Sequence, residues 1–464
     1  MLSRRNLLKA LIWAGAIDIP KVYSQSQLQQ RAMSNKQIKK IKIESVGLNF
    51  EREPFSKPFG FKGGFVTELW QAVSFLQSSS GIKKIGLGTQ SILWSDPAVY
   101  TAHSESGGNA LMYALTEYAL QLVKGREFSD PIELQKEILD EVYEYGKKIT
   151  GNPDLRETFI LNALVSLDNA AWMLYAAENG ITNFDEMIPE KYRPALSHHH
   201  NKVASIPLIS YSNRIKEVKE VADSGYYFLK IKLGQPGTQE EMLAKDMEHV
   251  SAIHKAIGHY TTPHTASGKI PYYFDANGRY EKKETLLRLI DHIKKIGAFG
   301  QVAIIEEPFP EKELIDVSDI PLRLAADESA HTDKDVRERI QMGYKAIALK
   351  AIAKTLSMTM GMAKAARENQ IPCFCADLTV NPILVDWNKN VAARLDPFPG
   401  LTTGLLESNG RQNYRNWETM EGYHPYPDAG WSKAEHGVFN LNKDFYEKSG
   451  GVLADSTHYM EMFR

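Results

Sequence analysis

Five short apolar runs in this chain each end in charge. Residues 226–229, 272–274, 302–305, 322–326 and 346–349 close on Lys230-Ile231-Lys232, Asp275-Ala276-Asn277, Glu306-Glu307-Pro308, Asp327-Glu328-Ser329 and Lys350. Each run reads as a buried strand, and charge at such an end is costly unless it has a partner or a task. In a parallel barrel every strand C-terminus opens on one face, so side chains far apart in sequence gather in one mouth where catalytic groups sit. Three carboxylates and three lysines converge there in this reading, which suggests a cation site flanked by bases. For a single cluster, a solvated strand end or a structural ion pair is the better explanation of the charge; the ordered set of five is what argues against it. An open doubly wound sheet focuses its site at one switch point and would not load five strand ends.

The surrounding rhythm agrees. After Ser205 the pattern is strand then helix, with strands starting at Ile206, Tyr226, Pro271, Val302, Leu322, Ala346, Pro372 and Thr403 and helical stretches at 240–257, 281–296 and 358–369. Residues 205–412 are therefore expected to form an α/β, TIM-like barrel. Upstream, residues 41–48, 64–69 and 85–88 are strand-like, with turns expected at Pro54, Pro58 and Gly60. Residues 109–123, 131–149 and 156–178 carry a helical period, so residues 40–195 read as an α+β domain. Residues 413–464 lack the barrel rhythm and are expected to pack back on that first domain.

Charge narrows the class of partner. The 55 basic residues nearly balance 57 acidic ones, which gives no basic field for nucleic acid and no acidic tail, so a small molecule is the expected partner. Cys373 and Cys375 are two apart on a predicted strand and face one side, as small core residues do. His198, His199 and His200 are consecutive and cannot all face one ion, so they read as a solvated linker between domains. Ser3-Arg4-Arg5-Asn6-Leu7-Leu8-Lys9 resembles the twin-arginine export signal of bacteria, followed by an apolar stretch too short to span a bilayer. Residues 1–32 are thus expected to be an export signal and linker, with a periplasmic destination, the cytoplasm as the alternative, and no membrane association beyond export.

In this order, Lys-x-Lys, Asp-x-Asn, Glu-Glu-Pro, Asp-Glu-Ser and a later strand-end Lys resemble the enolase superfamily. Within its mandelate racemase/muconate lactonizing enzyme family they are most similar to the muconate lactonizing, two-lysine group. Ser166-Leu167-Asp168-Asn169-Ala170-Ala171-Trp172 resembles the segment leading from that family's capping domain into its barrel. The resemblance implies a (β/α)7β barrel, an N-terminal α+β capping domain completed by the C-terminal segment, and a homo-oligomer. It implies Mg²⁺, with Mn²⁺ as a substitute, held by Asp275, Glu306 and Asp327, since all-oxygen ligation suits a hard dication. Lys232 and Lys350 are the implied acid/base residues on opposite faces of the substrate carbon. Lys230 is left to contact the substrate carboxylate or to help stabilise an ene-diolate. Being two apart on a strand, Lys230 and Lys232 enter the same interior, where one can tune the other toward a usable base.

The implied chemistry is removal of the α-proton of a carboxylate substrate, with the cation sharing the charge that develops. Racemisation or epimerisation comes first, because bases on both faces permit inversion. A lyase, either a dehydratase or a synthase of the o-succinylbenzoate kind, or a cycloisomerase would use the same parts. From a different class, an exported non-catalytic metal or carboxylate binder would keep the site but needs no paired bases.

Neighbouring carboxylates alternate along a strand, so Glu307 and Glu328 are not expected among the ligands. Glu328 is expected to orient Lys350, and Asn277 to hydrogen-bond either a ligand carboxylate or Lys230. Several positions depart from the family pattern. No glycine pair follows Lys350, and Lys354 rivals it for the second base. Dipeptide epimerases carry Asp-x-Asp at the eighth strand end, where this chain has Leu406-Glu407-Ser408-Asn409-Gly410 and so the single acid Glu407. The seventh strand ends Cys375-Ala376-Asp377-Leu378 without the histidine of the mandelate racemase group, and Asp377 either binds substrate or caps the following turn. Residues 54–64 resemble the loop that covers the barrel mouth, with Phe55, Phe59 and Phe61 as its apolar wall. His331 either sits near the mouth or begins a helix.

Overall fold

The computed structural model describes residues 38–62 and 64–464, so the twin-arginine reading of residues 1–32 lies outside the described residues. The capping part is an antiparallel sheet of β1 (Ile41–Phe61), β2 (Gly64–Ser78), β3 (Lys83–Gln90) and β4 (Glu127–Phe128), in the order β3-β2-β1-β4. The turns expected at Pro54, Pro58 and Gly60 are not turns. Strand β1 runs through all three, and its pairing with β2 shifts register between Pro54 and Phe59. Proline cannot donate to a ladder, and a bulge is where a strand tolerates it.

Helices Pro97–Val123, Pro131–Thr150 and Glu157–Asn179 cover this sheet. Asp130 starts the second by accepting the Ile132 N–H at 2.9 Å, and Pro131 occupies the first turn where no N–H is needed. Glu157–Asn179 is apolar on all sides because it lies between the cap sheet and the barrel. Its length and composition would suit a membrane span, yet its apolar window is wholly buried within the protein. Gly86 and Gly88 admit it to the sheet, since a Cβ at either would overlap the helix backbone around Ser166.

The second sheet curls into the barrel. Its strands are β5 (Lys202–Ile206), β6 (Leu208–Ile209), β7 (Leu229–Lys232), β8 (Tyr272–Asp275), β9 (Val302–Glu306), β10 (Leu324–Ala326), β11 (Ala346–Leu349), β12 (Cys373–Cys375) and β13 (Gly404–Glu407). β14 (Val438–Asn440) adds antiparallel to β5 on the outside. Pro207 divides what is otherwise one strand, so that β5 pairs in parallel with β13 while β6 pairs in parallel with β7. That exchange closes the ring, and carbonyls carry the ladder across the break. Pro207 O accepts the Lys230 N–H at 3.0 Å, and Ile206 O accepts the Ser408 N–H at 3.0 Å.

With β5 and β6 counted as one strand, the barrel has the expected eight, joined by helices Ile215–Asp223, Gln239–Ile257, Lys283–Lys295, Asp333–Gln341, Leu356–Glu368 and Pro382–Ala392. Six of the seven crossovers therefore carry a helix; the one between β9 and β10, residues 307–323, carries none. The strand expected at residues 226–229 starts later, and the Lys-x-Lys pair lies inside β7. A buried strand can carry those charges because each finds a carboxylate.

Residues 413–464 reach the cap sheet. Phe463 stacks on Phe75 with ring centroids 5.2 Å apart, His458 meets Glu51 at 2.7 Å, and Lys84 pairs with Asp455 at 2.8 Å. Cys373 and Cys375 are free and buried, as expected. The histidine run is only partly solvated. His199 is exposed, whereas His200 is buried with Nε2 3.1 Å from Leu395 O, and burial together with His198 lowers its imidazole to about 4. Anchoring of His200 to the barrel overrides the linker reading there.

Candidate active site

Alternation along β7 sends Lys230 and Lys232 into the barrel together. Both reach Asp275 Oδ2, at 2.9 and 2.5 Å. Lys230 Nζ also donates to Glu306 Oε1 and Glu407 Oε2, each at 3.0 Å, and lies 4.9 Å from the centre of the Tyr273 ring. The Tyr273 hydroxyl donates to the other Glu306 oxygen. Lys232 donates to Asn277 Oδ1 at 2.6 Å. Burial penalises the Lys230 ammonium, but Asp275, Glu306 and Glu407 outweigh it and hold it well above the ordinary lysine range. Burial likewise opposes the Asp275 carboxylate, and the two lysines more than compensate, keeping it well below the usual range. Glu306 is the exception: burial raises its carboxyl to about 8, and Lys230 does not cancel the effect.

The chain leaves β10 at Ala326 and bends, so strand alternation no longer governs Asp327 and Glu328. Contrary to expectation, the Glu328 carboxylate joins those of Glu306 and Asp327, with one oxygen from each lying within 4.8 Å of the others. Glu328 is also not the partner of Lys350. It meets Lys62 Nζ at 2.9 Å and accepts from Asn277 Nδ2 at 3.0 Å, while Lys350 pairs with Asp327 Oδ2. Asn277 thus touches ligand-type carboxylates rather than Lys230, and its backbone N–H donates to Asp275 Oδ1 at 3.0 Å. Glu307 adopts φ 37 and turns away, accepting the Asp327 N–H at 2.7 Å and the Ser329 hydroxyl at 3.0 Å. Asp275 stands apart from the close trio, tied to Glu306 through Lys230.

This donor set fits a hard divalent cation. It is buried and all-oxygen, Glu328 Oε2 has no hydrogen-bond partner, and Glu306 resists ionisation for want of positive charge. A cation among Glu306, Asp327 and Glu328 would supply that charge.

Lys350 and Lys354 both reach Asp327, because the chain turns at the end of β11 and places residues four apart on one side. Lys354 N donates to Lys350 O at 2.7 Å, and Lys354 Nζ is 3.0 Å from Asp327 Oδ1. Only Lys350 of the two lines the cleft, with Nζ 4.6 Å from the centre of the Trp94 ring. Burial works against its ammonium, and Asp327 with Glu328 raises it above the ordinary range. At the other side of the mouth Asp377 accepts the Leu378 and Asn409 N–H groups, both at 2.8 Å, which is the turn-capping alternative. Glu407 accepts from Lys230, from the Asp377 N–H at 2.9 Å and from Asn409 Nδ2 at 3.1 Å.

The β1–β2 ribbon roofs a cleft whose floor includes Lys230, Lys232, Asp275 and Lys350 and whose wall includes Phe55, Phe59 and Phe61. Sequence reasoning missed Lys62, Trp94 and Tyr273. Lys62 and Trp94 come from the cap and approach the mouth only through tertiary packing. Tyr273 was legible as the residue two before Asp275 on one strand, facing the same way.

Residues 213–400 match the family model described as enolase C-terminal domain-like. The match takes in β7 to β12 of the barrel. The chain is 23% identical over 305 residues to the L-Ala-D/L-Glu epimerase of Thermotoga maritima, covering 65% of this chain and 73% of that protein. The barrel and its cap also resemble two solved structures. The dipeptide epimerase of Enterococcus faecalis, complexed with Mg and the dipeptide L-Leu-L-Tyr, matches with TM-score 0.56 and 17% identity, over 79% of this chain and 90% of that one. The N-succinyl Arg/Lys racemase of Bacillus cereus matches with TM-score 0.58 and 15% identity, over 81% and 88%. All three are epimerases or racemases.

Proposed function

We propose that this enolase-superfamily protein is a Mg²⁺-dependent racemase or epimerase that removes and returns the proton α to a carboxylate. The observation that carries the reading is the pair Lys232 and Lys350. Lys232 ends β7 and Lys350 follows β11, four strands apart in a ring of eight, so they approach one cleft from opposite sides. A base that takes a proton from one face and an acid that returns it on the other invert the carbon.

Glu306, Asp327 and Glu328 would hold the cation, with Asp275 beside them. When bound, it supplies Lewis-acid charge to the substrate carboxylate. Lys230, fixed by three carboxylates and Tyr273, balances charge at the floor rather than moving protons. Asn277 orients Lys232, and Asp327 orients Lys350. The acids that could hold a free α-ammonium are already engaged, Glu407 by Lys230 and Asp377 by backbone N–H groups. This supports an N-blocked amino acid over a dipeptide with a free amino terminus, its tail lying against Phe55, Phe59 and Phe61.

The test is α-deuterium incorporation. Incubated with Mg²⁺ and N-acylated amino acids in deuterated water, the protein should label both enantiomers. Lys232→Ala should cut exchange from one enantiomer by about 100-fold or more, and Lys350→Ala from the other. Equal exchange from both in either variant would refute the two-base assignment, and a product that has lost mass would mean elimination instead of inversion.

A further inference from the structure

Away from the mouth, a second set of cation donors meets at the seam between cap and barrel. Glu157 opens helix Glu157–Asn179, Glu311 lies in the helix-free crossover after β9, and His331 and Asp335 flank the start of helix Asp333–Gln341. One donor atom from each of Glu157, His331 and Asp335 lies within 4.8 Å of the other two. Glu311 Oε1 is a fourth, 3.2 Å from His331 Nε2.

His331 is the residue that points to a ligand. It is 7% exposed, yet its Nε2 has no hydrogen-bond partner. Glu311 Oε1 stands 3.2 Å away as an ion-pair contact, and on the other side Nδ1 comes only within 3.4 Å of Asp335 Oδ2. The Asp335 carboxylate is held by the backbone N–H groups of His331 and Thr332, both at 2.9 Å. Arg156 pairs with the remaining Glu311 oxygen. With the imidazole protonated, three carboxylates against one guanidinium and one imidazolium leave one negative charge, and two once an entering dication displaces the proton.

We propose that Glu157, Glu311, His331 and Asp335 form a second cation site, for a transition-metal dication of the Zn²⁺ type, that staples the capping domain to the barrel. One imidazole among carboxylates favours such an ion over Mg²⁺, which prefers oxygen alone. Tetrahedral Zn²⁺ ligands at about 2.0–2.1 Å from the ion stand about 3.4 Å apart, so side-chain rotation closes the last ångström. Burial disfavours the His331 imidazolium, but Asp335 and Glu311 hold it up to about 9, so the ion enters in exchange for a proton. Glu157, Glu311 and Asp335 are only partly buried, which gives the ion a route in. His331 lies four residues past Asp327, so the staple ties the segment bearing Asp327 and Glu328 to the cap.

The experiment loads the full chain with Zn²⁺ in excess Mg²⁺, dialyses it and measures retained zinc by elemental analysis. Wild-type protein should keep one zinc per chain and melt higher than after chelation. His331→Asn and Glu157→Gln should each lose both the zinc and the shift, while Glu306→Gln keeps them. If His331→Asn fails to fold, Glu157→Gln decides, with Co²⁺ as a second probe whose visible absorption that variant should lose. Absence of zinc from wild-type protein, equal retention in the seam variants, or loss from Glu306→Gln alone would overturn the proposal and leave an ion-pair seam only.

Discussion

Charge in the mouth is balanced residue by residue, and Glu306 is where the balance fails. Asp275 and Asp327 each have two lysines, whereas Glu306 shares Lys230 with two other carboxylates. If a dication supplies the missing charge, Glu306→Gln should weaken Mg²⁺ binding at least about 10-fold by calorimetric titration. Unchanged affinity would move the site elsewhere. Lys232, Asp275, Glu306 and Asp327 were legible because each ends a short apolar run, and their order along the chain is the order of the strands. The direction of the Glu328 side chain was not legible for a physical reason: alternation holds only while the backbone is extended, and β10 stops at Ala326. Lys62 was invisible because nothing local ties a cap lysine to a carboxylate 266 positions later.

Two elements join the cap to the chemistry. From helix Glu157–Asn179, Asp168 accepts the Leu356 and Ser357 N–H groups at 2.9 and 3.1 Å, as well as the Ser357 hydroxyl, and so caps the barrel helix that follows Lys354. Burial raises this carboxyl from 3.8 to about 7, with Asp130 adding to the rise and the Ser357 and Leu356 donors opposing it. The folded state therefore holds the proton more tightly than the unfolded one. Its contribution to stability is present below about pH 4 and lost as pH rises through about 7. Relative to Asp168→Asn, the wild-type urea midpoint should fall across that window, and parallel curves would show that the carboxyl does not titrate there. Asp168→Ala should cost about 2 kcal/mol or more at any pH by urea unfolding, since it orphans buried donors. The other element is the β1–β2 ribbon, pinned by Lys62 on Glu328. Lys62→Met should lower the opening free energy of ribbon-tip amides by about 3 kcal/mol in hydrogen exchange. Helix positions were legible from period and caps. The long ribbon was not, because its prolines and glycines are also the residues of turns, and only pairing with β2 keeps them extended.

At the scale of the molecule, the C-terminal segment completes both parts, adding β14 to the barrel sheet and Phe463 and His458 to the cap. Trp417, Trp431, Phe445 and Tyr459 are buried within it. At about 2 kcal/mol each, their loss rivals the net stability of a whole domain, so a chain ending at Gln412 should fail to fold, as read by solubility and circular dichroism. A folded, soluble truncation would show that the segment is dispensable. The barrel itself was written in the chain, because strand–helix alternation and apolar runs ending in charge are local patterns that survive in any context. Which carboxylates approach one another, which of Lys350 and Lys354 faces the cleft, and which cap side chains enter the mouth depend on where strands stop and how two distant layers meet. Those are properties of packing over long separations, and no stretch of sequence encodes them by itself.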